Sequence, residues 1–293
     1  MKNEKICIIC INVAFGNAAA LQNVLDCDIV IEKHEPKGYG THLTKQPIGI
    51  NNIPKADHYI FVGSGIMTRI DTYSLKGRKT VLITDSHYLR ETDLINSIIE
   101  EQGIEVFCMA DLWDFCKFPK KMYVHPFVAI DLPAKKHSVL TISHSPFSEN
   151  KKILKGTAGI ELALKSIDIN HNYDCIVNSS WIDSLLRKSV SHLFIDQLCV
   201  NTHLDERKYK GGIGKSGLEA MLLKCLTISS GHPFDSDIPK PPYVTANSIN
   251  ELKEQLCLYA KNKELRERVI SNQYEWAKKY TDPKLVAQRI IKY

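Results

Sequence analysis

Short apolar runs alternate with segments of helical spacing along the whole chain, and this alternation limits the possible folds more than any other feature. Lys5–Val13 reads as an almost wholly apolar strand, and Phe15-Gly16-Asn17 turns it into a helix over Ala18–Leu25. Ile29–Ile31, His58–Val62 and Thr80–Ile83 read as further strands. Glu91–Gln102 places Leu94, Ile95, Ile98 and Ile99 at helical spacing, stops at Gly103 and leads into Ile104–Cys108. Strands that alternate with helices predict an α/β protein with mainly parallel sheets. Gly63-Ser64-Gly65 and Thr84-Asp85-Ser86-His87 then fall on loops after strand carboxyl ends, where open α/β sheets gather ligands.

A second unit of the same kind follows. Tyr123–Lys136 contains Pro126 and Pro133 and turns polar at its end, which suits a domain boundary. Ser138–Ser143 reads as a strand, Lys152–Ser166 as a helix, and Asp174–Val177 and His192–Ile195 as strands. Ser248 and Glu251 stand three apart, the spacing of a capping box that opens a helix. Glu264–Tyr280 is an amphipathic helix, and Asp282-Pro283 opens a last one with Pro at its first position. The expected organisation is residues 1–132, residues 133–280, and a C-terminal helix over 281–293.

The stretch Lys210–Ser230 carries the strongest chemical signal. A glycine turn (Gly211, Gly212, Gly214) leads through Lys215 and Ser216 into a helix expected to open at Gly217, with Glu219 in its first turn. The strand Leu226–Ser229 closes the segment. Glycines let backbone N–H groups approach a ligand closely, and a helix N-terminus presents unpaired donors with a partial positive charge. The arrangement suits a diphosphate, and an acid one turn inside could accept hydrogen bonds from a ribose. The same residues also suit an ordinary loop-to-helix junction.

Four pieces in order resemble the GT-B glycosyltransferases, specifically the family-4-type (glycosyltransferase group 1) retaining enzymes. Gly211-Gly212-Ile213-Gly214 followed by Glu219-Ala220-Met221 is similar to that family's glycine turn and Glu-Ala-Met helix. His192–Leu198 is similar to its strand ending in Asp-Gln, and His144-Ser145-Pro146 with Lys155-Gly156-Thr157 resembles its entry into the second domain. The resemblance covers residues 138 to 293. Two Rossmann-like domains facing a central cleft are the fold it implies, with the last helix returning to the first domain. It further implies transfer of a hexose from a UDP- or GDP-sugar to a glycan or lipid-linked acceptor.

By the same resemblance, Lys155 is the diphosphate lysine and Lys152 its neighbour. Gly214, Lys215, Ser216 and Gly217 hold the distal phosphate, and Glu219 accepts from the ribose hydroxyls. His144 is expected in a hinge under the cleft. On the acceptor side, Gly16, His87 and Arg90 are candidates for sugar or phosphate contacts; Thr84–Arg90 resembles the family's loop ending in Asp-Leu-Arg. The chain departs from the pattern in two places. Gly211 stands where many members carry a glutamate, and Ile213 replaces the aromatic residue of the turn. Cys199–Tyr209 looks like an insertion.

Composition sets outer bounds. The 293 residues carry 38 basic and 33 acidic side chains, a formal net charge of +5, without a run of five like charges. A basic nucleic-acid tail is therefore not expected. DNA as acceptor, as in phage base-modifying glucosyltransferases, stays open as an alternative, as does a non-catalytic nucleotide-sugar-binding protein. No 18-residue apolar stretch or signal peptide is visible, so the expectation is a cytoplasmic chain. Peripheral contact with an anionic membrane face is compatible with the charge. Nine cysteines, mostly in apolar runs, read as buried free thiols. Cys7 and Cys10 lie on one strand, where positions three apart face opposite sides. No metal site is expected, and the only co-substrate is the nucleotide sugar.

Overall fold

The computed structural model describes residues 4–11, 17–32, 47–84, 91–109, 112–113, 116–126, 132, 136–147, 149, 152–153, 155–198, 212–231 and 236–292. The chain divides into one unit formed by Met1–Val128 with Tyr280–Tyr293 and another formed by Ala129–Lys279.

The first unit runs β1 (Ile6–Cys10), α1 (Asn17–Leu25), β2 (Asp28–Ile31), β3 (Ile48–Gly49), β4 (His58–Val62), β5 (Arg78–Ile83), α2 (Thr92–Gln102), β6 (Glu105–Met109) and β7 (Lys120–Tyr123). Its seven strands pair in the order β3-β2-β1-β4-β5-β6-β7, all parallel. Each inner strand is buried on both faces, which is why the strands read as continuous apolar runs rather than alternating ones. On one face Cys7, Ile9, Phe61, Val81 and Ile83 pack with Ile95, Ile98 and Ile99 of α2. On the other, Ile8, Cys10, Ile60, Leu82 and Phe107 pack with Ala18 and Leu21 of α1. Each such branched side chain contributes about 1.5–3 kcal/mol when fully buried. Cys7 and Cys10 therefore sit in different core layers, and burial pushes both thiols up to about 12. The described cysteines are thiols rather than disulfides.

The second unit runs β8 (Thr141–Phe147), α3 (Thr157–Lys165), β9 (Asn172–Val177), α4 (Trp181–Ser189), β10 (Leu193–Gln197), α5 (Lys215–Leu222), β11 (Leu226–Ser229), β12 (Val244–Thr245), α6 (Ile249–Lys261) and α7 (Lys263–Tyr280). The strand order is β12-β11-β10-β8-β9, again parallel throughout. Two of the boundaries that differ from the sequence reading have local causes. Strand β8 begins at Thr141 and runs past Pro146, which is tolerated because its register with β9 shifts between His144 and Phe147. Helix α3 begins only at Thr157, because Gly156 takes a left-handed conformation (φ 70°) that cannot continue a helix from Lys152. At the start of α6, Ser248 accepts from the Glu251 N–H as the capping box requires. The returning carboxylate bond goes to the Asn247 N–H instead of to Ser248.

The last helix, α8 (Pro283–Ile291), belongs to the first unit. Asp282 caps it by accepting from the Lys284 and Leu285 N–H groups, with Pro283 at the first position as expected. Val286, Ala287 and Ile290 enter the same core layer as α1. Its far end is tied by Arg78, whose Nη2 donates to the Ile290 and Ile291 carbonyls at 3.1 and 2.9 Å. Arg78 also donates to His58 Nδ1 at 3.0 Å. The imidazole must then carry its proton on Nε2, which donates to Thr80 Oγ1 at 2.8 Å. Replacing Arg78 with Met strips these acceptors of their donor and should cost about 1–3 kcal/mol. Urea denaturation should show a lower midpoint at unchanged slope.

Candidate functional site

In the second sheet the chain leaves β8 on one side toward β9 and returns on the other as β10. Ligands of such sheets bind outside the strand carboxyl ends at this reversal. The loop after β8, the end of β10 and the start of α5 converge there.

The loop after β8 is fixed by backbone. Gly156 N–H donates to Ile153 O at 3.1 Å and Thr157 N–H to Lys152 O at 3.0 Å. Leu198 N–H donates to Lys155 O at 3.0 Å, so the loop lies against the end of β10. A Cβ on Gly156 would stand 1.8 Å from Leu198 O, an impossible contact at a φ that already favours glycine. His144, expected in a hinge, is an internal staple of this unit. Its Nδ1–H donates to Ile195 O at 2.8 Å and its Nε2 accepts from Thr157 Oγ1 at 2.9 Å. Burial holds this imidazole neutral, down to about 4.

Lys155 reaches from this loop to the end of β10. Its ammonium lies 3.3 Å from Asp196 Oδ1 and donates to Gln197 Oε1 at 3.1 Å. Asp196 is fully buried, and its other oxygen accepts from the Gly214 N–H at 2.7 Å. The glycine turn is described from Gly212 onward. Gly212 (φ 134°) donates to Ser230 O at 2.8 Å, and its carbonyl accepts from Ser229 Oγ and Gln197 Nε2. Gly214 caps α5, whose helix begins at Lys215, two residues before the expected opening. Gly217 is thus the third helical residue, and a Cβ there would press on Ile213 Cγ1 at 2.7 Å and Asp196 Cβ at 3.2 Å. First-turn amides, those of Ser216 and Gly217 among them, have no partner within the helix.

The earlier start moves Glu219 out of the first turn. Its carboxylate is buried beneath the helix, where Oε2 pairs with Lys188 at 2.6 Å and Oε1 accepts from Trp181 Nε1 at 2.8 Å. Lys215 Nζ stands 3.6 Å from the same carboxylate. Burial pushes Glu219 up, but Lys188 and Lys215 outweigh it and hold the carboxyl below its ordinary range. Burial also brings Lys215 down to about 8, against the pull of Glu219. Lys152 lies apart from this cluster, paired with Glu149 at 2.8 Å at the surface.

The structure therefore brings together Lys155, Gly214, Lys215, Ser216, Gly217 and Glu219. Gly16, His87, Arg90 and Gly211 lie outside the described residues. Sequence reasoning missed Asp196, Trp181 and Lys188. Asp196 announced itself as a charge inside an apolar parallel strand, which burial forbids without a partner. Trp181, Leu185 and Lys188 form a stripe of helical spacing on α4, so the lysine occupies a core position. In the first unit, Asn17 at the start of α1 donates to His125 Nδ1, and its own Oδ1 is buried without a partner. Among the described residues no group of three or more His, Cys, Asp or Glu could hold a metal ion, and no helix is long and apolar enough to cross a membrane.

Two measurements check this geometry. Gly156→Ala should destabilise the chain by roughly 4 kcal/mol or more, the range of a backbone overlap at a special φ. Stability should also fall with acid. His58 and His144 are held down to about 3 and about 4 in the fold, against an ordinary 6.5. Their contribution is complete above that value and is lost as the pH drops below it, because the unfolded chain binds protons the folded imidazoles refuse. The slope should reach about 1.4 kcal/mol per pH unit for each histidine, read from urea midpoints between pH 7 and 4.

No protein-family model and no curated protein sequence matches this chain. Solved structures do. An alpha-glucosyltransferase in complex with UDP superposes over 99% of this chain and 99% of its own, with a TM-score of 0.61 and 11% identity. An alpha-glucosyltransferase with UDP and a 13-mer DNA containing a HMU base gives 0.61 and 11%, over 99% and 98% of the two chains. TarM of S. aureus, as a mutant in complex with Fondaparinux, alpha-GlcNAc-glycerol and UDP, gives 0.51 and 12%, over 80% of this chain and 55% of its own. At such identities the likeness concerns the fold: this chain is built of two Rossmann-like units of the GT-B class.

Proposed function

We propose that this chain is a glycosyltransferase that moves a hexose from a nucleotide diphosphate sugar to an acceptor hydroxyl. The observation that carries the reading is the convergence of the Lys155 ammonium and the α5 N-terminus at the strand reversal of the second sheet. UDP is favoured over GDP as the nucleotide, because the alpha-glucosyltransferase and TarM structures were solved with UDP.

In this reading the bond between the anomeric carbon and the β-phosphate oxygen breaks, and its electron pair leaves with the diphosphate. The acceptor oxygen forms the new bond, and its proton passes to an oxygen of the departing diphosphate. Negative charge grows on the leaving group, and fixed donors aimed at that position lower the barrier. Lys155 and the first-turn amides supply them. Glu219 takes the ribose hydroxyls, and the 3.6 Å contact to Lys215, the longest of its three, is the one a ribose replaces. The first unit takes the acceptor. Retention of configuration and cytoplasmic residence belong to the same proposal.

The acceptor has two readings. A glycan or lipid-linked sugar is one. DNA is the other, and it is favoured by the full-length likeness to the alpha-glucosyltransferase solved with DNA. Turnover of UDP-glucose with a 13-mer containing a HMU base, against turnover with a glycan panel, separates them. Binding without turnover on any acceptor would leave a nucleotide-sugar-binding protein.

Calorimetry with UDP tests the pocket. Glu219→Gln should weaken UDP about tenfold, a loss of the size of one charge-assisted hydrogen bond, whereas inorganic pyrophosphate, which has no ribose, should lose no affinity. Affinity for UDP should also decline as the pH rises through about 8, where Lys215 loses its charge, and Lys215→Met should remove that inflection. No heat with UDP at millimolar concentration would end the proposal.

A further inference from the structure

The groups assigned above to the diphosphate are already engaged by a carboxylate of the protein itself. Asp196 Oδ1 faces the Lys155 ammonium at 3.3 Å, and Asp196 Oδ2 accepts from the Gly214 N–H at 2.7 Å. One buried anion thus holds both a cation and a cap amide of the candidate site. A carboxylate fully out of water is costly unless paired, and these are the partners that make it tolerable. The site has little slack around it. A Cβ on Gly214 would meet Lys155 Nζ at 3.3 Å and Asp196 Oδ2 at 3.4 Å, and Gly217 leaves room for the Asp196 Cβ.

Charge tells the same story. Among the described residues, Lys155, Lys188 and Lys215 bring three positive charges to the site, and Asp196 and Glu219 bring two negative ones. Glu219 neutralises Lys188 beneath the helix, at 2.6 Å and nearly out of water. Asp196 neutralises the cation that is nearly a quarter exposed. An arriving phosphate therefore competes with Asp196, whereas it leaves the Lys188–Glu219 pair intact.

We propose that Asp196 is a built-in counter-anion and the specificity-determining residue of the site. It holds Lys155 in the ligand-free protein, keeps the ammonium and the Gly214 amide aligned, and must give up Lys155 when a diphosphate binds while keeping the amide that makes its burial tolerable. A singly charged anion gains little by the exchange, since it replaces a carboxylate of equal charge that is already desolvated. A nucleoside diphosphate brings more charge and more acceptor oxygens, and it gains. The consequence is selection for diphosphates over smaller anions at a cost in absolute affinity. This inference rests on the nucleotide reading of the site.

The test is a substitution whose effect has opposite signs under the two explanations. Asp196→Asn keeps an oxygen for the Gly214 N–H and removes the charge from Lys155. If Asp196 competes with the ligand, the variant binds UDP and inorganic pyrophosphate more tightly, on the order of tenfold for one charge at this separation near the surface. The salt dependence of binding should steepen as well, because a cation is uncovered. If Asp196 only props the loop, affinity is unchanged or weaker in a variant with a normal melting transition, and the inference is overturned. A variant that does not fold leaves a measurement on the natural chain, the Gly214 amide resonance during a UDP titration. It should move as the Lys155 ammonium beside its carboxylate partner turns to the phosphate, and a resonance unmoved at saturation would also overturn the inference. Failure of the nucleotide reading looks different: neither UDP nor pyrophosphate binds the natural chain, and both ideas fall. Pyrophosphate binding without UDP binding removes the nucleotide alone, and Asp196 is then judged on pyrophosphate.

Discussion

A single buried carboxylate organises the second unit's carboxyl edge. Asp196 is the next-to-last residue of the central strand β10, accepts from the amide that caps α5, and faces the lysine that closes the loop after β8. Three elements far apart in sequence meet on its two oxygens. Because a desolvated anion cannot be left unpaired, each of them is held where the carboxylate needs it. The tight glycines follow from the same requirement. Gly156 lets the lysine loop touch Leu198, and Gly217 lets the helix lie against the Asp196 Cβ.

The Glu219 cluster beneath α5 has a different character. Lys188 is one of the largest fully buried side chains of the molecule, and it lies over the Phe194 ring as well as against Glu219. Trp181 and Lys215 complete the set, so one acid fixes groups from α4 and α5. Such a network rigidifies the helix start, which matters because amides aimed at a developing charge are effective only when they need not reorganise. In the proposed reading the two clusters divide the work: one holds the helix still, and the other faces the nucleotide sugar.

Much of the fold was legible because its grammar is local. The parallel strands are buried on both faces and read as apolar runs; His58–Val62 and Leu226–Ser229 match to the residue. Gly103 stops α2 and Pro283 opens α8 as their local chemistry demands. Errors arose where tertiary contact overrides local preference. Gly156 is set by its neighbour Leu198, not by the helix it precedes, and Pro146 is admitted by a register shift. The glycine turn and the lysine loop were recognisable as candidate site material from the sequence. Their mutual pairing was not, since Asp196 and Lys155 are 41 positions apart and nothing in either segment names the other. Lys188 was hidden for a similar reason: a lysine on a helix reads as a solvated face until the stripe it shares with Leu185 is followed inward.

The central claim is that the strand reversal of the second sheet is the donor site. A crystal structure of the protein with a bound UDP-hexose tests it most directly. The account predicts the diphosphate at the α5 N-terminus within hydrogen-bonding distance of Lys155 Nζ, with the Asp196–Lys155 contact opened and the Lys188–Glu219 pair unbroken. Nucleotide bound elsewhere, or bound there with Asp196 still holding both Lys155 and the Gly214 amide, would contradict it.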